Sequence, residues 1–346
     1  MSNRVAEQFF TFGTGFGERA PALLREAADR TGFLVDGEIW RGQIYTPSKV
    51  GTVIARGSWQ GRRAVLKLQG IRPEIEEAEH IRRFMAGNKS ARIRAPQVFY
   101  TEPWDEARGY GLTVMEEVTA PPLYSPPWAS PAERAAWGDL TTELYWRGVG
   151  APWLSPDERE TSTNRFLKSR LQSWIEICAS APRERRLADH DQQFLVPTYV
   201  DLIDRYGPEL PMMFCHGHLG PDDIRVTSPG HYVLLSNFFW SWRPLWYHCA
   251  FNVWACLMAL LKEARPTFPQ AERIVAEWLA SYRELSAARA DHHFEPHFKF
   301  MLLERCVGSC LVDLVVAERA SEAEEKREVG LGIMMALARR LIGELS

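Results

Sequence analysis

The residues whose types and spacing could do chemistry lie in one loop, residues 212–226, which reads MMFCHGHLGPDDIRV. An apolar run enters the loop, a proline bends it, and a short branched-chain run leaves it. Between these runs stand two histidines, His216 and His218, and two adjacent carboxylates, Asp222 and Asp223. A histidine near neutrality can act as a general base, and adjacent carboxylates can hold Mg²⁺. The loop could therefore support proton transfer beside a metal ion.

The elements upstream of this loop have the pattern of a small sheet. From about residue 38 the hydrophobic period is that of strands in EIWRGQIYT, GTVIARGSW and RRAVLKLQG, which predicts a three-stranded meander. A helix is predicted next, from a proline at its first turn to Gly87, with apolar residues three to four apart: Ile75, Ala78, Ile81 and Phe84. Two more strands, APQVFYTEP and YGLTVMEEV, follow. We predict a five-stranded sheet with one helix over residues 38–119, after a helical extension over residues 1–37.

The remainder of the chain is predicted to be mainly helical. Five prolines in the thirteen residues TAPPLYSPPWASP place a boundary near residue 120, because proline interrupts both helices and strands. A capping box at Ser130 to Glu133 opens the first helix beyond it. Further helices are predicted near 161–181, 190–206, 246–263, 268–288, 295–318 and 322–344. Strand-like runs at 211–215 and 224–226, with HYVLLS soon after, interrupt them on either side of HGHLGPDD, and together these residues form a catalytic-like loop over 214–226. We predict an α+β protein whose second lobe spans residues 120–346.

Composition limits the class of protein. Of 346 residues, 46% are hydrophobic and 25% are charged, which is typical of a globular chain. The 41 basic and 44 acidic residues give a formal charge of -3, so no nucleic-acid partner is expected. The sequence shows no secretory signal and no apolar run of about 18 residues, so no membrane partner is expected. Its six cysteines form no CxxC pair, which favours buried thiols in the cytoplasm. Nothing in the sequence indicates an oligomeric state.

The order of these elements, together with the loop, resembles the aminoglycoside phosphotransferase and choline kinase branch of the protein-kinase-like superfamily. In that family the catalytic loop runs His-Gly-Asp-Leu-His-Pro-Gly-Asn-Ile-Leu, and residues 216–225, HGHLGPDDIR, align with it without a gap. The resemblance covers roughly residues 40–345. It implies a two-lobe kinase-like fold, ATP and Mg²⁺ as cofactors, and phosphoryl transfer to an alcohol group of a small molecule.

The small lobe keeps the residues that this resemblance requires. Lys67 lies where the family's third strand offers an ammonium to the nucleotide phosphates. The following helix should supply a carboxylate to hold it, and we predict Glu77, with Glu79 as the alternative. The stretch VMEEV resembles the hinge whose backbone holds adenine, which implies a nucleotide-binding role for three of its residues: Met115, Glu116 and Val118.

The large lobe departs from the family where chemistry takes place. His218 stands at the position of the catalytic aspartate, and Asp223 replaces the metal-binding asparagine. The second metal position falls on Ser236, or on Asn237 if one residue has been lost before the next helix. His248 replaces a further acid. Three carboxylates are thus missing while the apolar neighbours are kept, so any Mg²⁺ site is expected to be weakened.

We therefore predict a pseudokinase-like protein that is catalytically impaired and binds a nucleotide, a small molecule or a protein partner in its cleft. The alternative is an atypical ATP-dependent phosphotransferase acting on a hydroxyl group, with His218 as base, Asp223 on the metal and Lys67 on the phosphates. The aromatic run NFFWSWRPLWYH, residues 237–248, is expected to pack in the core or to line the acceptor side for an apolar or aromatic ligand. Trp240 or Trp242 filling the phosphate position would oppose catalysis.

Overall fold

The computed structural model describes residues 15–44, 46–148, 152–315 and 322–346, without the side chains of residues 38–41, 43–49, 148, 322 and 323. Within these residues the small lobe holds five long strands and two helices, in chain order: α1 (Phe16–Thr31), β1 (Phe33–Ile44), β2 (Thr46–Trp59), β3 (Arg62–Gln69), α2 (Glu77–Gly87), β5 (Val98–Asp105) and β6 (Tyr110–Glu116). A two-residue strand, β4 (Ile93–Arg94), lies between α2 and β5.

The five strands form one antiparallel sheet in the order β1-β2-β3-β6-β5, as the strand pattern predicts. Lys67 lies on the central strand β3, opposite Ile54 of β2 and Thr113 of β6. Alternate residues of β3 are buried, so the sheet has one covered face. The position of the lysine is therefore held by strands on both sides.

Helix α1 is built into this lobe. Its buried face, which includes Leu24 and Ala27, shares one core cluster with Leu66 of β3 and Val114 of β6. Strand β1 begins at Phe33. The boundary predicted between residues 37 and 38 therefore falls inside a strand, because the pairing of β1 with β2 starts earlier than the hydrophobic pattern indicates.

Helix α2 begins at Glu77, four residues later than the proline signal at Pro73 predicts. Glu76 takes the extended conformation of an N-cap residue, and its Oε1 accepts the backbone N–H of Trp104 at 2.8 Å. This contact ties the N-cap residue to β5. Glu77 is the first helical residue, where the helix dipole favours a carboxylate.

The large lobe contains two small sheets around the loop. Strand β7 (Met212–His216) pairs antiparallel with β10 (Trp240–Pro244), and β8 (Ile224–Ser228) pairs with β9 (His231–Leu234). The short strand β4 pairs with β9 in parallel and so links the lobes. Strands β4 and β10 were not predicted: β4 has only two residues, and β10 lies inside a run that has too many aromatics to show an alternation.

The rest of the lobe is helical, as predicted: α3 (Pro131–Thr142), α4 (Thr163–Ser180), α5 (Asp189–Tyr206), α6 (Tyr247–Leu260), α7 (Phe268–Arg283), α8 (Ser286–Ala290), α9 (Phe294–Gly308) and α10 (Glu322–Leu345). The capping box at Ser130 and Glu133 is present. The helix predicted over 268–288 is two helices, and the one predicted to reach residue 318 ends at Gly308 and continues as a wider turn to Asp313. Their core is one large cluster that also includes Ile81 and Phe84 of α2.

No described helix is both long and apolar enough to cross a membrane.

Candidate functional site

Lys67 and Glu77 form a short ion pair beneath the cleft between the lobes. The Nζ of Lys67 donates to Oε2 of Glu77 at 2.6 Å, and the side chains are 12% and 1% exposed. Glu79 instead pairs with Arg82 and Arg83 at the surface of α2. The register of the helix decides between the two acids, because Glu77 lies on the same face as the buried Ile81 and Phe84.

The same carboxylate also reaches the large lobe. Its second oxygen, Oε1 of Glu77, accepts the backbone N–H of Asn237 at 2.8 Å, in a buried position. One side chain of α2 therefore joins β3 of the small lobe to the segment that follows β9. Because both oxygens are used, the Glu77 carboxylate is fully satisfied although it is buried.

An aromatic ring covers Lys67. The ring centroid of Phe238 lies 4.5 Å from the Lys67 ammonium. Phe238 follows Asn237 directly, so the hydrogen bond from Asn237 to Glu77 holds the backbone that carries the ring. A cation over an aromatic face is attracted by roughly 0.5–2 kcal/mol. One approach to the ammonium is thus occupied by protein.

The ring of His216 is buried beneath the loop and makes hydrogen bonds to two backbone groups. Its ring is buried, its Nε2 lies 2.7 Å from the carbonyl oxygen of Ser236, and its Nδ1 accepts the backbone N–H of His218 at 3.4 Å. Since a carbonyl can only accept, Nε2 carries the proton and the ring is neutral. Burial lowers the pKa of His216 to about 3, which keeps the ring uncharged at neutral pH. The neighbouring Gly217 donates its N–H to the carbonyl of Phe239 at 2.8 Å.

His218 lies at the position of the predicted catalytic residue. Its ring packs between Phe239 and Phe251, with centroids 4.7 and 4.5 Å away. Part of the side chain is open to solvent. Desolvation by the surrounding protein, with the guanidinium groups of Arg305 and Arg243, lowers the pKa of His218 to about 4. At neutral pH the ring is uncharged and is a weak base.

Asp223 makes a hydrogen bond across the turn in the second half of the loop. Its Oδ2 accepts the backbone N–H of Gly220 at 3.2 Å across the short turn Pro221–Asp223. Burial raises the pKa of Asp223 to about 6, with the hydrogen bond from Gly220 and the charge of Lys67 acting in the opposite direction. The carboxylate is therefore within electrostatic range of Lys67 and is ionised above about pH 6.

Ser236 and Asn237 differ in burial and in the hydrogen bonds that their side chains make. The amide of Asn237 is buried: it donates to the carbonyl of Leu234 at 2.9 Å and accepts from the indole of Trp240 at 3.2 Å. Ser236 is half-buried. Of the two candidates for the second metal position, Asn237 is the one whose side-chain oxygen already accepts a hydrogen bond from protein, and its amide is buried. In the described part of the chain, no three or more histidine, cysteine, aspartate or glutamate side chains converge as metal ligands.

The predicted hinge spans the end of β6, which contains Met115 and Glu116, and the residues just beyond it. Met115 is buried, and the carboxylate of Glu116 receives two hydrogen bonds from Arg94, at 2.6 and 2.7 Å. The Glu116 N–H donates to the carbonyl of Gln97 at 2.8 Å. Val118 is half-buried just beyond the strand. The side chain of Glu116 is thus turned toward the segment that precedes β5.

The two tryptophans of β10 lie behind the cleft. Trp240 is buried between Phe84 of α2 and His216 of the loop, with ring centroids 5.1 and 5.4 Å away. Trp242 packs on Phe214 and donates its indole N–H to the carbonyl of Leu154 at 2.9 Å. Both rings are therefore packing residues, and the ring that contacts Lys67 is Phe238.

His248, at the position of a lost acid, is also an interior residue. Its ring is buried 4.4 Å from the ring of Tyr145, and burial lowers its pKa to about 3. Its Nδ1 has no hydrogen-bond partner among the described residues.

The site residues that sequence reasoning missed are Phe238, Arg243 and Arg305. The doubled phenylalanine after Asn237, which puts a large ring beside the second metal position, is the one local signal that could have identified the first.

No protein-family model matches the chain, and no curated protein matches it significantly. Several solved structures, however, match the fold of the chain. The aminoglycoside phosphotransferase APH(4)-Ia matches 92% of this chain over 98% of its own, with 12% identity and a TM-score of 0.56. A microcompartment-associated aminopropanol kinase matches 93% over 98% (13% identity, TM-score 0.59), and a Plasmodium vivax ethanolamine kinase matches 89% over 84% (10% identity, TM-score 0.56). The chain has the two-lobe kinase-like fold of these phosphotransferases.

Proposed function

We propose that this protein is a catalytically impaired, pseudokinase-like relative of the aminoglycoside phosphotransferases that binds a nucleotide or another small molecule in its interlobe cleft. The observation that carries the proposal is the ring of Phe238 over Lys67. The lysine is kept and is held by Glu77, yet the ammonium that would meet a phosphate faces a phenylalanine. This arrangement preserves a binding cleft and opposes tight binding of phosphate.

The residue at the catalytic position supports impairment. Efficient general bases have a pKa near the working pH, because the proton must be both accepted and released. The pKa of His218, near 4, gives it little basicity at neutral pH. A neutral imidazole also lacks the negative charge that a carboxylate would provide beside the acceptor hydroxyl.

The residues at the metal positions do not fit a Mg²⁺ site of the usual kind. Mg²⁺ in phosphotransferases is held by carboxylates together with phosphate oxygens. Here one carboxylate, Asp223, with a raised pKa, stands with the hydroxyl of Ser236. One acid and one neutral hydroxyl supply less negative charge than the two phosphate-bridging ions need. We therefore assign no metal-dependent step to this protein.

The ion pair between Lys67 and Glu77, which is retained, supports nucleotide binding without phosphoryl transfer. Structures of APH(4)-Ia variants contain ADP or AMP-PNP together with hygromycin B. In this chain Lys67 and Glu77 form the pair expected beneath the nucleotide phosphates. Of the hinge residues, Met115 and Glu116 end β6, and Val118 lies just beyond it. The six cysteines are buried as free thiols, which supports a cytoplasmic location.

The second candidate is an atypical ATP-dependent phosphotransferase acting on a hydroxyl group of a small molecule. Two observations favour it. Asp223 and Lys67 lie within electrostatic range of each other, and the solved structures with this fold include an aminopropanol kinase and an ethanolamine kinase. In that case His218 would act as a weak base and Asp223 would be the acid that remains.

Calorimetry with ATP, with and without Mg²⁺, separates the two candidates. The pseudokinase proposal expects weak binding that Mg²⁺ does not strengthen and that Lys67→Ala weakens. Tight Mg²⁺-dependent binding that Asp223→Ala abolishes, together with ADP release, would support the enzyme and overturn the proposal. Asp201→Ala is the control, because Asp201 is an exposed carboxylate on α5, outside the loop.

A further inference from the structure

We propose that Trp153 is a positioning residue for the lysine site, because it fixes helix α2 on the large lobe and so places the carboxylate of Glu77 against Lys67. The proposal goes beyond the proposed function, since it concerns how the site is assembled and not what the site binds. It is carried by the packing of α2 and β4, which lie within the small lobe in sequence but pack on the large lobe in the structure.

The hydrophobic residues of α2 belong to the core of the large lobe. Ile81 and Phe84 are buried in the large-lobe cluster, and the ring of Phe84 lies 5.1 Å from that of Trp240. The second core cluster, which joins α1 to the five-stranded sheet, contains no described residue of α2. Because hydrophobic stabilisation grows with the apolar area that is buried, packing holds α2 to the large lobe.

Strand β4 has the same attachment. It pairs in parallel with β9, with Ile93 opposite Tyr232, and the N–H of Tyr232 donates to the carbonyl of Arg92 at 2.7 Å. The guanidinium of Arg92 also donates to Asp139 of α3 at 3.0 Å. Both α2 and β4 are therefore bound to the large lobe, the helix by apolar packing and the strand by hydrogen bonds.

The contacts of α2 with the small-lobe sheet are polar at its first turn. Glu77 pairs with Lys67 of β3 at 2.6 Å, and the preceding Glu76 accepts the N–H of Trp104 of β5 at 2.8 Å. Farther along the helix, an open recess of about 410 Å³ lies between Met85 of α2 and Val98 of β5. The pair of Lys67 and Glu77 thus joins two separately packed bodies, and its geometry depends on what fixes α2.

Trp153 touches α2 in three ways. Its indole N–H donates to Nδ1 of His80 at 3.2 Å, its carbonyl accepts from Arg83 at 3.1 Å, and its ring lies 6.3 Å from that of Phe84. His80 follows Glu77 by one helical turn, so the two side chains lie on the same side of α2. An indole can only donate, so the ring of His80 must be neutral at Nδ1. Burial lowers the pKa of His80 to about 4, which keeps this bond at neutral pH.

The strands that flank the loop hold Trp153 from the other side. Its ring centroid lies 4.7 Å from that of Phe214 on β7 and 4.9 Å from that of Trp240 on β10. The next residue, Leu154, accepts the indole N–H of Trp242 at 2.9 Å. Trp242 packs on Phe214 but makes no described contact with α2. Trp153 therefore connects the loop strands to α2, and Trp242 is a matched tryptophan without that connection.

The two groups that cover Lys67 are held on the large-lobe side. Glu77 lies on α2 and accepts the N–H of Asn237, and Phe238 follows Asn237 in the chain. A movement of the small-lobe sheet relative to the large lobe would separate the ammonium from the carboxylate and from the ring together. The exposure of Lys67 therefore reports whether α2 is held in place.

Reductive methylation with formaldehyde and a borane reductant, read by mass spectrometry, tests the inference on the full chain without nucleotide. The ion pair with Glu77 shields the amine of Lys67. We expect Trp153→Ala to raise the methylation rate of Lys67 about tenfold, toward that in Glu77→Gln, and Trp242→Ala to leave it within about twofold. The exposed Lys168 on α4 is the internal reference and should react at the same rate in every variant.

A second variant guards against loss of folding in Trp153→Ala. Trp153→Phe keeps a ring beside Phe84 and removes the N–H that binds His80, so it should fold and should raise the Lys67 rate about threefold. If Trp153→Ala does not fold, the rate in Trp153→Phe decides.

An unchanged Lys67 rate in the Trp153 variants overturns the inference. An equal rise in Trp242→Ala also overturns it, because a general loss of packing in the aromatic cluster would then explain the effect. No nucleotide is present in this experiment, so its result is independent of whether ATP binds to the protein.

Discussion

The aromatic ring of Phe238 lies 4.5 Å from the ammonium of Lys67, on the charged group that should meet a nucleotide phosphate. The same ammonium is held at 2.6 Å by Glu77, whose other oxygen binds the backbone N–H of Asn237. The lysine, the helix acid and the segment that carries the ring are therefore mechanically linked. A phosphate that reaches Lys67 must move Phe238 or approach from another side.

Removal of the ring should strengthen nucleotide binding. We predict that Phe238→Ala tightens ATP binding about tenfold, because the cation–π contact of roughly 0.5–2 kcal/mol no longer competes with phosphate. The measurement is calorimetry with ATP at neutral pH. Phe239→Ala is the control, since Phe239 contacts His218 and not the lysine. Weaker binding in Phe238→Ala would show instead that the ring supports the nucleotide.

Glu77 and Glu79 should differ in their effect on stability. Glu77→Gln keeps an acceptor for the Asn237 N–H but leaves Lys67 without its carboxylate, so we predict a loss of about 3 kcal/mol in the free energy of unfolding. Glu79→Gln removes a surface pair with Arg82 and Arg83, which water and salt screen, and should lower the free energy of unfolding far less than Glu77→Gln does. Urea denaturation measures both. Similar losses in the two variants would contradict a structural role for the buried pair.

Restoration of carboxylates should distinguish the two candidates for the second metal position. We predict that His218→Asp combined with Ser236→Asp makes ATP binding dependent on Mg²⁺, since both acids then stand beside Asp223. The combination with Asn237→Asp should fail and should lower stability by about 1–3 kcal/mol, because the amide hydrogen bond to Leu234 is lost. Calorimetry with a Mg²⁺ titration measures this. A Mg²⁺ effect in the Asn237 variant alone would reverse the assignment.

The histidines should make the fold sensitive to acid. Burial lowers the pKa values of His80, His216 and His248 to about 3–4, and desolvation by neighbouring groups together with the charges of Arg305 and Arg243 lowers the pKa of the solvent-open His218 to about 4. Between about pH 6.5 and those values the unfolded chain binds more protons than the folded chain, so the free energy of unfolding falls as pH falls. Asp223, with a pKa raised to about 6, acts in the opposite direction between about pH 6 and 4 and offsets one of the four groups.

A single substitution isolates one of these groups. His248 is enclosed by aromatic rings, so we predict that His248→Phe keeps the fold and reduces the slope of unfolding free energy against pH by about 1.4 kcal/mol per unit between pH 4.5 and 6. Urea denaturation at several pH values measures the slope. The control is His190→Phe, an exposed position on α5. An unchanged slope in His248→Phe would mean that His248 is charged in the folded protein.

Local sequence determined the elements and their order. The two-residue period of β2 and β3, the apolar spacing of α2 and the proline-rich segment near residue 120 are each encoded within about fifteen neighbouring residues. The loop 216–225 and its missing carboxylates are equally local. The kinase-like fold could be predicted for this reason, because the elements and their order suffice to select it.

Tertiary structure decided which side chains meet. Helical spacing already favoured Glu77 as the partner of Lys67, but the hydrogen bond from the Asn237 N–H to Glu77 joins residues 160 positions apart, and the Asn237 side chain is held by Trp240. Phe238 and Lys67 are about 170 residues apart, as Arg305 and His218 are about 90 apart. No period or spacing in the sequence predicts such contacts. They depend on how one lobe packs on the other and on the side-chain rotamers that close packing then permits.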